Sequence, residues 1–113
     1  MKKSNLDLIE EAITNISLIN EYTKSGFDNP IVFDAVALRI AVLIDTLSKL
    51  DSSLRKEVTQ DNWAAIRGMR NRIVHAYTGV DHAIVKATVS NDLPILEQSL
   101  KRAKTRLGES PQD

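Results

Sequence analysis

Several side chains that can do chemistry lie close together near the middle of the sequence. The stretch from Arg70 to Tyr77 reads Arg-Asn-Arg-Ile-Val-His-Ala-Tyr, which places two cationic groups, an amide, an imidazole and a phenol within little more than two helical turns. Histidine titrates near neutrality and can act as base or acid, and arginine stays charged and holds phosphate bidentately. These groups suit RNA cleavage without a metal, in which the ribose 2′-OH attacks the adjacent phosphorus while a base, an acid and a cation assist.

The spacing of these residues on a helix raises a geometric problem. At about 100° per residue, Arg70 falls on the same arc as the apolar side chains between Trp63 and Tyr77, and a guanidinium there must pair or line a wet cleft or subunit interface. Tyr77 lies within about 20° of Arg70, but His75 is turned roughly 140° from it. Either the arginine bends round, the helix loosens near His75, or a second copy of the chain completes the site.

The same residues also fit a purely structural role. Arg70 could lay its stem on the core and reach solvent or a carboxylate such as Asp45, and His75 could be a hydrogen-bonded histidine on the helix flank. Tyr77 could be a core tyrosine with its hydroxyl at the rim. From the spacing alone, both interpretations remain open.

The composition of the chain limits the kinds of protein and of binding site that it can form. We expect one domain over residues 1–113, with one real core. The absence of cysteine excludes disulfides and thiolate metal sites, and two histidines without paired carboxylates beside His75 make neither a metal site nor a cofactor site. The 15 basic and 15 acidic residues balance, so nucleic-acid affinity must come from a local patch. No long apolar run or signal peptide appears, which predicts a cytoplasmic protein without membrane attachment.

The hydrophobic pattern predicts an all-α fold, an up-and-down four-helix bundle with one additional short helix. The first helix should run from about Asn5 to Lys24, capped by Ser4 or Asn5. The second, from Pro30 to about Leu50, is apolar over most of its circumference and should be the central helix. Its uncovered surface must be buried by other helices or by another subunit. Arg39 interrupts that surface and is expected to reach solvent at an end of the bundle.

The second half of the chain carries clear stop signals. Residues 51–61 are expected to form a helix end and a loop. The helix that carries Arg70 and His75, called the motif helix below, should run from about Gln60 to Thr78, with Gly79 ending it. A short helix should follow from His82 to Ser90. Pro94 predicts a break or a kink near Asn91-Asp92 before the last helix, and residues 109–113 should be a frayed tail.

The stretch from Trp63 to Asp81, followed by Asn-Asp-Leu-Pro-Ile-Leu at residues 91–96, closely resembles the HepT-like toxins of the HEPN superfamily. The family's R-x4-H-x-Y pattern falls on Arg70, His75 and Tyr77, and its asparagine falls on Asn71. The likeness covers nearly the whole chain and is most specific between residues 66 and 81.

This resemblance implies a HEPN-like bundle and the toxin of a type VII toxin–antitoxin system, a metal-independent endoribonuclease active as a homodimer with a composite active site at the interface. It implies that His75 transfers protons and that Arg70 binds and stabilises the phosphate. Asn71 would orient one of these two side chains. Arg67 and Arg72 would seat the RNA backbone, although a solvated helix face explains those two equally well.

The resemblance also implies a partner, an MntA-like nucleotidyltransferase antitoxin that transfers AMP from ATP onto Tyr77. The added charge and bulk, in line with Arg70, would occupy the phosphate site. One departure concerns Ala41 and Val42, near which the family usually carries Gly-Glu, so any help that this glutamate gives the arginine is in doubt. Two alternatives are a non-catalytic helical binding or regulatory subunit of a minimal nucleotidyltransferase, and a plain helical interaction protein.

Overall fold

The computed structural model describes residues 3–75 and 82–109, except for the side chains of His75 and Glu109. Helices account for all the regular structure of these residues, which confirms the all-α prediction. The helices are α1 (Asn5–Tyr22), α2 (Pro30–Ser48), α3 (Ser52–Val58), α4 (Trp63–His75), α5 (His82–Ala87) and α6 (Leu93–Glu109), and a π-helical turn at Thr88–Asp92 joins the last two. Within the described ranges, no helix is both long and apolar enough to span a bilayer.

The first two helices begin at hydrogen-bonded caps. Ser4 Oγ accepts the Asp7 backbone N–H at 3.1 Å, and Asp7 Oδ2 accepts the Ser4 N–H at 3.3 Å, which is a complete capping box. Asn29 Oδ1 accepts the Ile31 N–H at 2.9 Å, and Pro30 occupies the first turn of α2, where its missing N–H costs nothing. The predicted starts of both helices are therefore confirmed.

Helix α2 is the centre of the core. It packs against α1 on one side and α4 on another, and α1 also packs against α6. The buried side chains of the core are almost all aliphatic, and the largest fully buried ones are Ile9, Ile16, Ile19, Val36, Ile40, Leu43, Leu47, Val58, Val85 and Leu100. Burial of each such side chain contributes about 1.5–3 kcal/mol.

Arg39 lies in the middle of α2 and not at an end of the bundle, so its predicted place is wrong. Its Nη1 donates to Asn15 Oδ1 at 3.3 Å, and the buried Asn15 in turn donates from Nδ2 to the Glu11 carbonyl at 3.1 Å. The arginine reaches a buried amide because an unpaired polar group in that position would be costly. This contact ties α1 to α2.

The segment expected to be a helix end and a loop contains α3. Leu54 and Val58, one turn apart, are its buried residues, and seven residues give too short a pattern to identify a helix from periodicity. Gln60 and Asp61 then adopt left-handed backbone conformations, with φ of 52° and 63°. This turn reverses the chain, and α4 begins at Trp63, later than predicted.

Residues 82–109 form one continuous helical rod, and the irregularity predicted near Asn91-Asp92 takes the form of a π-helical turn within it and not of a break in the chain of helices. Pro94 would clash with the carbonyl four residues back in a regular α-helix. The π-helical turn lies directly before it, and the Leu93 N–H bonds to the Thr88 carbonyl, five residues back. Within the described residues, the bundle therefore has four long helical rods, and α3 is the additional short helix.

The π-helical turn also keeps the apolar residues of this rod in line. Val85, Val89 and Leu93 follow one another at intervals of four residues, which would drift by about 80° over two intervals on an α-helix. All three are nevertheless buried. The wider turn absorbs the excess residue, so the buried faces of α5 and α6 meet.

Helix α3 is tied to α6 by an ion pair near the end of the chain. Glu57 accepts hydrogen bonds from both terminal nitrogens of Arg106, and the Nη2–Oε1 distance is 3.1 Å. The hydrogen bond and the charge of Glu57 raise the pKa of Arg106, so this group stays cationic. Both side chains are about half exposed, so the pair adds little to stability.

The central role of α2 gives a direct test. Leu47 is fully buried, and a Leu→Ala change at such a site costs about 2–5 kcal/mol. A carboxylate there adds the cost of an unpaired buried charge, while total stabilities are about 5–15 kcal/mol. Leu47→Asp should therefore unfold the protein.

Leu38 provides the matched control, because it lies on the same helix but is 62% exposed. Leu38→Asp should keep the helical content of the unsubstituted protein. Circular dichroism of the two variants measures the contrast, and a Leu47→Asp protein that stays helical would contradict the placement of α2.

Candidate functional site

Two contacts fix the direction of α4 on α2. At one end, Arg55 donates from Nη1 to the carbonyls of Ser48 and Leu50, at 3.1 and 3.2 Å, and its guanidinium lies 5.0 Å from the centre of the Trp63 ring. Trp63, the first residue of α4, is thereby placed at the C-terminal end of α2. Beyond α4 in the sequence, His82 at the start of α5 stacks on Phe33, near the N-terminal end of α2, with ring centroids 3.7 Å apart. Helix α4 therefore runs antiparallel to α2.

This arrangement brings Arg70 opposite Asp45 of α2. Arg70 donates from Nε to Asp45 Oδ1 at 2.8 Å and from Nη2 to Oδ2 at 3.5 Å. The Arg70 side chain is 30% exposed and that of Asp45 is 50% exposed, so the pair lies at the edge of the helix contact and not inside it. A carboxylate such as Asp45 was one of the partners that the sequence allowed for Arg70, and it is the one the arginine reaches.

The other arginines of α4 lie on different flanks of the helix. Arg67 and Asn71 are four residues apart, both exposed, and share one flank. Arg72 is also exposed but lines a groove on the other side of α4. The structure therefore does not bring Arg67 and Arg72 together, although the helix does carry three arginines and no carboxylate.

The two remaining motif residues cannot be placed in the same way. His75 is the last residue of α4, and its side chain lies outside the described part of the chain. Tyr77 lies outside the described residues altogether, as do Gly79 and the predicted end of the motif helix.

Helix α2 leaves an apolar seam uncovered beside the Arg70–Asp45 pair. Ile31, Leu38 and Asp45 follow one another at intervals of seven residues, which keeps them on one face within about 20° per step. Ile31 is 76% exposed and Leu38 is 62% exposed. On α4, Val74 is also exposed. We call the face formed by Ile31, Leu38 and Asp45 the α2 seam.

The α2 seam bears on the departure noted at Val42. Val42 is partly buried, lies one turn before Asp45 and cannot supply a carboxylate. The acidic group that reaches Arg70 in this chain is Asp45. The site therefore has a carboxylate beside its arginine even though the expected glutamate position does not provide one.

A groove on the opposite side of α4 was not foreseen from the sequence. Its volume is about 630 Å³, α2 forms its floor, and α4 and the α5–α6 rod form its walls. Both irregular stretches of backbone, the left-handed turn at Gln60 and Asp61 and the π-helical turn, lie on its rim. Of the arginines of α4, Arg72 is the one that lines it.

These features make α4 a local cationic surface in a chain whose total charge is zero. That is the kind of patch that binding to a polyanion requires when the whole-molecule field is absent. Arg70 differs from the exposed arginines beside it because its guanidinium is held in place by a carboxylate. A fixed guanidinium can bind one phosphate in a defined orientation.

Comparison with known proteins gives consistent relatives. A family model described as "Ribonuclease HepT-like" matches residues 9–103. The "Probable ribonuclease HepT" of Thermococcus cleftensis is 25% identical over 109 residues, which cover 92% of this chain and 99% of the relative. No solved structure matches the chain significantly.

Two further relatives carry related names. The "Gamma-glutamylcyclotransferase and putative RNase MJ0434" of Methanocaldococcus jannaschii is 26% identical over 112 residues, which are 95% of this chain and 50% of that protein. The "Putative RNase TTE0752" of Caldanaerobacter subterraneus is 26% identical over 73 residues, which are 65% of each chain. Because the family model spans most of the chain, including the helices that carry Asp45 and Arg70, this protein belongs to the HepT-like ribonuclease family.

Proposed function

We propose that this protein is an endoribonuclease toxin of a type VII toxin–antitoxin system, and that it cleaves RNA without a metal. The observation that carries the proposal is the partly exposed guanidinium of Arg70, which Asp45 of α2 holds at 2.8 Å. Helix α4, which carries Arg70, has no carboxylate of its own. Membership of a ribonuclease family supports the same substrate class.

In the proposed reaction, the 2′-oxygen attacks the adjacent phosphorus and its proton goes to a base. The bond from phosphorus to the 5′-oxygen breaks, and an acid protonates that oxygen, which leaves a 2′,3′-cyclic phosphate and a 5′-hydroxyl end. Arg70 binds the phosphate and offsets the charge that builds up on its oxygens. His75 transfers protons, and Asn71 orients one of these two groups.

A homodimer would supply what one chain lacks. On an ideal helix, Arg70 and His75 are turned roughly 140° from each other, and α4 carries one histidine. A second copy packed on the α2 seam would cover Leu38 and Ile31 and bring a second arginine and histidine to a shared cleft. Large exposed apolar side chains on one helix face favour such an interface.

The exposed arginines would guide RNA into this cleft. Arg67 lies on the same flank of α4 as Asn71, so it would contact the backbone beside the cleaved phosphate. Arg72 lies on the groove side, and its contact with RNA would be further from that phosphate. Both contacts would be electrostatic and independent of sequence.

Control of the toxin would come from an MntA-like nucleotidyltransferase antitoxin that transfers AMP onto Tyr77. Seven residues separate Tyr77 from Arg70, which places them in line if α4 continues as a helix. An adenylyl group adds negative charge, so it would pair with Arg70 and exclude RNA phosphate.

The first test is cleavage itself. The purified protein should cut RNA in the presence of EDTA and leave 2′,3′-cyclic phosphate ends, detected by mass spectrometry of the fragments. His75→Ala should reduce the rate about 100-fold or more, because a positioned acid–base group typically contributes about 10²–10⁴-fold.

His82→Phe is the matched control, since it removes the other histidine of the chain and keeps a ring available to stack on Phe33. This variant should cleave at the rate of the unsubstituted protein. Undiminished cleavage by His75→Ala would rule out the role assigned to His75.

A second test addresses the dimer. Leu38→Asp places a charge in the α2 seam, where burial against a second copy would be costly. The variant should remain helical, sediment as a monomer in analytical ultracentrifugation, and lose RNA cleavage. A Leu38→Asp protein that is dimeric, or monomeric and fully active, would contradict the proposed interface.

A third test addresses Tyr77. Incubation with ATP and an MntA-like nucleotidyltransferase should add one AMP, which mass spectrometry locates on Tyr77. Tyr77→Phe should take up none, because it lacks the acceptor hydroxyl.

Tyr22→Phe, which removes the other tyrosine, should be modified as the unsubstituted protein is. AMP found on a different residue would overturn the assignment.

The absence of the family glutamate at Val42 favours the non-catalytic regulatory subunit as the second candidate. That function would give a stable complex with the nucleotidyltransferase but no growth arrest when this chain is expressed alone.

A further inference from the structure

We propose that Asp45 is a positioning residue for RNA cleavage, which fixes the guanidinium of Arg70 in the orientation that the reacting phosphate requires. This inference rests on the proposed function, and it adds a residue that acts through Arg70 without touching RNA. Its basis is the two-point contact between the side chains, at 2.8 Å for Nε–Oδ1 and 3.5 Å for Nη2–Oδ2.

The two-point contact leaves a defined part of the arginine for a ligand. A guanidinium is planar and carries five N–H donors. Asp45 binds the edge formed by Nε and Nη2, and the second edge, formed by Nη1 and Nη2, has the same spacing and suits a phosphate. Because the guanidinium is planar, a carboxylate that holds one edge also fixes the plane in which the other edge can bind a ligand.

Both ends of the contact are anchored in packed helices. Asp45 lies between Ile44 and Thr46, which are 4% and 3% exposed, so its backbone belongs to a helix packed into the core. Arg70 lies on α4 three residues before the buried Ile73. The two backbones that present these side chains are therefore held by the core, and the contact with Asp45 holds the guanidinium between them.

The exposure of the pair argues against a role in folding. The side chains of Arg70 and Asp45 are 30% and 50% exposed, and ion pairs that water reaches contribute little to stability. A carboxylate beside a phosphate site also repels RNA. Asp45 should therefore weaken RNA binding while it speeds turnover, a combination that a structural residue would not produce.

The experiment measures kcat and KM for RNA cleavage by Asp45→Ala and Asp45→Glu. Asp45→Ala should lower kcat roughly 10- to 100-fold, the range expected when a catalytic group is misplaced by about 1 Å, with KM unchanged or lower. Asp45→Glu restores a carboxylate and should recover part of kcat. In an Arg70→Ala background, Asp45→Ala should cause no further loss.

Glu97→Ala is the matched control, because it also removes a carboxylate paired with a cation, Lys101 of α6. It should leave kcat and KM unchanged. The pair itself is measured by ¹⁵N NMR, where the Arg70 Nε–H signal should be protected from exchange in the unsubstituted protein and in Glu97→Ala, and lose that protection in Asp45→Ala.

The outcomes separate this inference from the proposed function. No cleavage by the unsubstituted protein overturns both together. Normal cleavage with kcat unchanged in Asp45→Ala overturns the positioning role alone, as does a further loss in the Arg70→Ala background or an unaltered Arg70 Nε–H signal. If Asp45→Ala melts at a lower temperature and the fraction of unfolded protein accounts for its lower kcat, the positioning role is overturned as well.

Discussion

The burial of α2 is the constraint on which the rest of the structure depends. Nearly every side chain on three of its sides is apolar, so the helix cannot remain in water and must be covered by its neighbours. Helix α1 covers one side and α4 another. Because Arg55 and Trp63 fix one end of α4 and His82 follows at the other, the motif helix has one direction across α2. The position of Arg70 follows from that packing.

The covering of α2 is incomplete, and its uncovered surfaces lie on both sides of α4. On one side are the α2 seam and the Arg70–Asp45 pair, and on the other is the groove that Arg72 lines. Helix α4 contacts the rest of the bundle mainly through α2, so both of its flanks remain accessible. The same feature that makes α4 suitable for holding a polyanion also leaves large apolar side chains such as Leu38 in contact with water.

The parts of the fold that short-range signals determine could be predicted from the sequence. Ser4 and Pro30 mark helix starts through hydrogen bonds within one turn, and the stripe of α2 is long enough to identify a buried helix. Helix α3 escaped prediction because two apolar residues do not establish a period, and Arg39 was misplaced because its partner, Asn15, comes from another helix. The contact of Arg70 with Asp45 could be named only as one option, since a long side chain reaches several acceptors and packing decides among them. Tyr77 and the His75 side chain lie outside the described residues, so their assignment still rests on the sequence motif.

The π-helical turn between α5 and α6 also restricts how this chain can change in length. Ser90 and Asn91, on its outer surface, are exposed, so their identity is free to vary as far as the core is concerned. Their number is restricted in one direction. Removal of one residue would leave Val85 and Leu93 seven positions apart, which aligns them within about 20° on a regular α-helix, so the buried face would stay intact. Insertion of one residue would rotate everything beyond it by about 100° and carry Leu100 away from α1. This stretch can thus lose a residue but cannot gain one.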